Sequence, residues 1–129
     1  MLSDEQRHRA AGLIADLSRS LGALPVVLSQ EGEAICAAGL ADERHAERLA
    51  RIAGRIWREG VHRTAREAIR FEEEVLDSSD ERASFMIYTA HVAGALTLTI
   101  GWQLSPSLTQ LRAEAEDVIE ELRLLLGGR

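Results

Sequence analysis

The chain has 129 residues, 46% of them apolar, with 15 basic groups against 21 acidic ones and a formal net charge of −6; a length of this order builds one domain, residues 1–129, around one core. All 15 cations are Arg and neither Lys nor Asn occurs, which excludes lysine-based covalent chemistry and a phosphate-loop lysine, while the acidic balance argues against nucleic acid as a partner. The single Cys36 rules out an internal disulfide, no apolar run is long enough for a membrane span, and the polar start Ser3-Asp4-Glu5-Gln6-Arg7 does not resemble a secretory signal, so the expectation is a cytoplasmic protein.

From Asp4 to about Leu21, Ala10, Leu13, Ile14, Leu17 and Leu21 recur three and four apart behind a capping box of Ser3 and Gln6, which predicts an amphipathic helix. The β-rich run Leu24 to Ser29, the turn Gln30-Glu31-Gly32 and the run Glu33 to Ala38 predict a hairpin that ends at Gly39. A second helix follows Asp42 as cap and runs to about Glu59, with Gly60 as its stop and Leu49, Ile52, Ala53, Ile56 and Trp57 on its apolar side. Three β-like runs come next: Ile69 to Leu76, Ser84 to His91 and Ala95 to Ile100. They are joined by Asp77-Ser78-Ser79-Asp80 and by a tight turn near Val92-Ala93-Gly94, both short enough for antiparallel pairing. Ser105 as cap and Pro106 at the first helical position open a last helix striped with Leu108, Leu111, Ala115, Val118, Ile119, Leu122, Leu125 and Leu126, and Gly127-Gly128 ends it. The order αββαβββα predicts an α+β domain of three helices around a five-stranded antiparallel sheet.

Catalytic chemistry is not visible in these residues. His8, His45, His62 and His91 are scattered without the spacing of a metal motif, Cys36 sits among apolar neighbours as a small core residue, and Gly32 and Gly39 are explained by a turn and a strand end. The expectation is a protein that is not an enzyme and holds no cofactor or metal.

The second helix stands out. At 100° per residue, Arg44, Arg48, Arg51, Arg55 and Arg58 project within about 80° of one another, opposite the Leu49 and Ile56 side. Residues 42–70 hold eight Arg against five acids, net +3, which leaves −9 for the rest of the chain. Such a column is either a solvated helix face or a surface for an acidic partner, which Arg recognises through its planar fork. Beside it, Ala46, Ala50 and Gly54 form a lane of small residues next to Trp57. That lane lets another helix approach closely, or it lets this helix lie close on its own sheet. Glu72-Glu73-Glu74 within a strand points to a sheet edge, where charges guard against accidental pairing or serve a two-fold strand pairing. With the axis near Glu72, Arg70 would face Glu74 of a second copy, and Ile69 would face Val75.

The order of elements, the run Val26-Val27-Leu28-Ser29-Gln30-Glu31-Gly32-Glu33-Ala34-Ile35-Cys36-Ala37-Ala38-Gly39, the Ala-rich second helix, and the close Ala95 to Ile100 followed by a helix from Ser105 together resemble the Roadblock family, the dynein light-chain type with a profilin-like layout. Ser107-Leu108 stands where members of that family often carry a Gly. The resemblance implies a homodimer joined through the third strand and the second helix, with Ala46, Ala50, Gly54, Trp57, Phe71, Glu72, Glu73 and Glu74 at the seam. It implies a platform on which a small Ras-like GTPase, or another Roadblock-like or longin-like protein, docks beside Arg44, Arg48, Arg51, Arg55 and Arg58, as in the family's bacterial GTPase regulators. An arginine supplied to the GTPase would come from Arg63 or Arg66. A scaffold without effect on hydrolysis and a small-ligand sensor are the alternatives.

Overall fold

The computed structural model describes residues 2–39, 43–59, 66–76, 81–102 and 106–126. Its elements are α1 (Asp4–Ser20), β1 (Val26–Gln30), β2 (Glu33–Ala38), α2 (Glu43–Glu59), β3 (Glu67–Leu76), β4 (Glu81–Ala93), β5 (Leu96–Trp102) and α3 (Leu108–Leu126). The chain has the α+β architecture expected from its residue pattern, with one five-stranded antiparallel sheet in the order β2-β1-β5-β4-β3. Pairing of β1 with β5 joins the two halves of the chain at the sheet centre and leaves β2 and β3 as its edges. The cap Asp42, the stop Gly60, Arg63, the turn at 77–80, Ser105 and Gly127-Gly128 lie outside the described residues.

α1 starts where its capping residues dictate. The Gln6 N–H donates to Ser3 Oγ at 3.0 Å and the Ser3 N–H donates to Gln6 Oε1 at 2.9 Å, so two amides that the first turn would leave open are satisfied. α3 differs from expectation in its start. Leu108 is its first residue and the cap is Ser107, whose Oγ accepts the Gln110 N–H at 3.2 Å, so Pro106 precedes the helix instead of opening it. Pro106 has a different role: its carbonyl accepts the Trp102 indole N–H at 2.7 Å and ties the strand end to the helix start.

The hairpin of β1 and β2 turns through Glu31 and Gly32, with φ of 52° and 86°. Two positive φ values in a two-residue loop match the right-handed twist of the flanking strands. One residue slips between the pairs Leu28↔Cys36 and Ser29↔Ala34, which leaves Ile35 as a bulge. The slip places Ala34 on the α2 side of the sheet and Cys36 on the other. β3 and β4 both run longer than the apolar pattern suggests, from Glu67 and from Glu81, because ladder pairing continues through every register pair from Glu67↔Ala90 to Leu76↔Glu81 whatever the side chains. β5 likewise starts at Leu96 and runs on to Trp102.

The sheet is covered on both faces. Ala10, Ile14 and Leu17 of α1 and Leu111, Ala115, Ile119 and Leu122 of α3 pack on Val26, Leu28, Tyr88, Leu98 and Ile100. On the opposite face, Leu49, Ala50 and Ile56 of α2 pack on Val27, Ala68 and Ile87. A polar tie anchors β3 to the α3 side: Glu67 accepts the Tyr88 hydroxyl at 2.8 Å and two Arg112 nitrogens at 2.8 and 2.7 Å. Burial and the Glu67 carboxylate push the Tyr88 hydroxyl well above its ordinary pKa, so it stays a donor at any physiological pH. No helix among the described residues is long and apolar enough to cross a membrane.

Gly39 leaves β2 with φ +73°, and a Cβ there would overlap the Leu24 carbonyl oxygen and Ser18 Oγ, two atoms already hydrogen-bonded to each other at 2.6 Å. Gly22, at φ +78°, has open space around its missing Cβ. Gly22→Ala therefore carries only the backbone penalty of about 1 kcal/mol, while Gly39→Ala adds steric overlap and costs more than about 3 kcal/mol in urea unfolding; equal losses for the two variants would contradict this packing.

Candidate functional site

α2 lies across β2, β1 and β5, and what it covers is unusually polar. Ser29, Thr89, Thr97 and Thr99 all project onto its side of the sheet and are buried. They satisfy one another: Ser29 Oγ and Thr97 Oγ1 are 2.9 Å apart, and Thr89 Oγ1 and Thr99 Oγ1 are 3.1 Å apart. Trp57 joins this ladder by donating its indole N–H to Thr89 Oγ1 at 3.0 Å. Each such bond contributes about 1 kcal/mol, and a larger cost falls on any hydroxyl left alone beneath the helix.

The lane of small residues has its explanation here. Ala46 and Ala50 are buried in the core under α2, and Gly54 lies against the β1–β2 turn, where an added Cβ would sit 3.0 Å from the Gly32 Cα and 3.3 Å from its nitrogen. Two glycines in contact let helix backbone meet hairpin backbone, so the lane serves the seating of α2 on its own sheet. Trp57 is spent in the same way, on Thr89 and on His91, whose ring centroid is 3.9 Å from the indole.

The arginine column is only partly a uniform face. Arg44, Arg51, Arg55 and Arg58 are exposed, while Arg48 is half-buried, and both Arg48 and Arg55 interact within the chain. Arg58 stands at a cavity of about 450 Å³ bounded by Glu31, Gly32, Gly54, Trp57 and His91. On β3, Phe71 is 61% exposed, a large apolar side chain on a strand whose outer edge has no partner within the described residues. Glu72, Glu73 and Glu74 continue that edge strand, opposite Phe85, Ser84 and Ala83 of β4. Arg66, the other arginine of the linking segment, is exposed just ahead of β3. Phe71 and the exposed arginines therefore belong to different elements, one at a sheet edge and the others on the helix over the opposite part of the sheet.

Burial pushes the Cys36 thiol up to about 11, with nearby Arg7 only partly opposing it, so it stays protonated and unreactive. Among the described residues no group of three or more His, Cys, Asp or Glu side chains could hold a metal ion. Of the described histidines, His91 is the one placed beneath α2, against Trp57. Its position two after Thr89 on a strand, opposite Thr97, was the available signal, since that period places it on the α2 side.

His91 Nδ1 is buried without a hydrogen-bond partner, and burial holds the imidazole below its ordinary pKa of 6.5. The unfolded chain then binds the proton more readily than the folded one, so stability is complete above pH 6.5 and declines as pH falls through the lower folded value. His91→Phe, which keeps a ring against Trp57, should flatten the decline between pH 7 and pH 5 in unfolding followed by Trp fluorescence; an unchanged slope would assign it to the carboxylates.

No family model matches the chain, and no curated protein matches it in sequence. Solved structures do match. A Roadblock/LC7 domain from Streptomyces avermitilis superposes with TM-score 0.71 at 18% identity over 90% of this chain and 96% of that one. The gliding protein MglB from Thermus thermophilus gives 0.76 at 12% identity over 100% and 96% of the two chains. MglB from Myxococcus xanthus gives 0.66 at 18% over 95% and 90%, and an MglB with a tetrameric arrangement gives 0.69 at 15% over 97% and 93%. At such identities it is the path of the backbone that is shared, across nearly the whole of each chain, and the protein has the Roadblock/LC7 fold.

Proposed function

We propose that the protein is a non-enzymatic homodimeric module that binds a small Ras-like GTPase and regulates its nucleotide cycle in the cytoplasm. The observation that carries this reading is the superposition, over 90% to 100% of this chain, on a Roadblock/LC7 domain and on MglB proteins. A tetrameric arrangement in one MglB structure supports self-association as a habit of this fold.

The seam we assign is the outer edge of β3, with Phe71 and the strand Glu72-Glu73-Glu74. A strand edge offers a row of unpaired amides and carbonyls, and a two-fold axis lets the same edge satisfy itself, which removes an aggregation hazard while burying Phe71. Ala46, Ala50, Gly54 and Trp57 contribute from beneath: they hold α2 down at the height its outer surface needs. The partner surface is then the exposed arginine row, Arg44, Arg51, Arg55 and Arg58, with Arg48 supporting it from a half-buried position. Each copy would present its row as a positive surface for a partner's acidic side chains, in a chain whose remainder is negative. Hydrolysis chemistry would belong to the GTPase, whose loops such a platform can hold in place.

The test uses the Ras-like GTPases of the source genome, each loaded with GDP or a non-hydrolysable GTP analogue. One of them should co-purify with the wild-type protein in a nucleotide-dependent way and hydrolyse GTP at a changed rate in its presence. Arg44→Glu, Arg51→Glu and Arg55→Glu combined should weaken that complex at least about tenfold while unfolding normally. Intact binding with unchanged hydrolysis would select the scaffold; binding indifferent to the three reversals would remove the arginine row from the interface.

A further inference from the structure

The three helices are not held alike. α1 and α3 share one face of the sheet and pack on each other as well as on the strands. Among the described residues, α2 is the one helix packed on the opposite face. The core that α1 and α3 close is built from large side chains, Ile14, Leu17, Leu111, Ile119 and Leu122, and contains no residue of α2. The buried side chains of α2 are Leu49 and Ile56 with three alanines, Ala46, Ala50 and Ala53. Removing α2 therefore leaves the strand ladders and one complete core in place, whereas losing either of the other helices opens the larger core.

The surface beneath α2 is also tolerant of water. Ser29 pairs with Thr97 across β1 and β5, and Thr89 with Thr99 across β4 and β5. Both pairs lie within the sheet, so neither is broken when the helix leaves, and water can take the remaining hydrogen-bonding positions of the four hydroxyls. The bond from Trp57 to Thr89 is the part of this ladder that departs with the helix. At that same end of α2 a cavity of about 450 Å³ lies among Trp57, Gly54 and Gly32, so the atoms around it lack close neighbours on one side.

We propose that α2 lifts from the sheet as one cooperative unit, at a free energy below that of unfolding the chain, while α1, α3 and the five strands stay folded. Arg44, Arg51, Arg55 and Arg58 all belong to α2, so one opening step displaces the exposed row together. A partner held by the seated row would close this opening. The inference itself stands on the two unequal cores and holds whatever the row binds.

Amide exchange of the full chain, followed residue by residue by NMR at one protein concentration and in rising urea below the unfolding transition, tests it. The amides of Leu49, Ala50, Ala53 and Ile56 should exchange at least about tenfold faster than those of Ile14 and Leu98, share one opening equilibrium, and respond to urea with the smaller slope. Ile119→Val, in the other core, should speed exchange at Ile14 and Leu98 about threefold or more and leave α2 unchanged, because that core is intact in the open state. Trp57→Phe, which removes the donor to Thr89, should speed α2 about fivefold. Exchange of α2 at the rate of Ile14 and Leu98, a graded series of rates along the helix, equal acceleration of α2 by Ile119→Val, or no response of α2 to Trp57→Phe would overturn the proposal.

Discussion

The seating of α2 on the sheet is the constraint on which the other features depend. Backbone meets backbone at Gly54 and Gly32, Ala46 and Ala50 fill the space between, and Trp57 closes the polar ladder by donating to Thr89. The sheet offers buried hydroxyls beside aliphatic groups under this helix, so a drift of the helix would break the bond from Trp57 to Thr89 as well as the packing on Val27 and Ile87. That directional tie fixes the rotation of α2 about its own axis. Rotation in turn decides which arginines reach solvent.

Much of the architecture was legible in the residues because its signals are local and periodic. Ser3 and Gln6 announced α1, the alternation of Leu96, Leu98 and Ile100 announced a strand, and spacings of three and four in α1, α2 and α3 announced their buried sides. Element ends were less legible where tertiary pairing overrides composition. β3 and β4 pair through charged positions, and α3 is capped by Ser107 because Pro106 is engaged by Trp102. The candidate site was legible in its cations and obscure in its supports. A lane of Ala46, Ala50 and Gly54 looks the same in sequence whether it meets another molecule or the helix's own sheet, and only the position of Gly32 decides between them. Thr97 and Thr99 read as a polar face of a strand, whereas they are buried under α2, which no period of two can distinguish.

The two sheet edges divide the molecule into unlike ends. The β3 end combines an exposed Phe71 with a run of three Glu on an open strand, features suited to a symmetric contact that must be specific to its own kind. The β2 end carries Ala34-Ile35-Cys36-Ala37-Ala38 after Glu33, beside Glu47 and Arg51 of α2. α2 stands between them, so its arginines are positioned relative to both. The charge is uneven as well: α2 carries five Arg against three Glu in a chain that is acidic as a whole.

Self-association through the β3 edge is the central claim, and light scattering on a size-exclusion column tests it most directly. The wild-type chain should elute with twice its 14.2 kDa mass across a hundredfold range of loading. Phe71→Asp, a change at a residue exposed in the single chain, should elute at 14.2 kDa with an unaltered circular dichroism spectrum. A wild-type species of 14.2 kDa at every concentration, or a Phe71→Asp protein that keeps the doubled mass, would contradict the account.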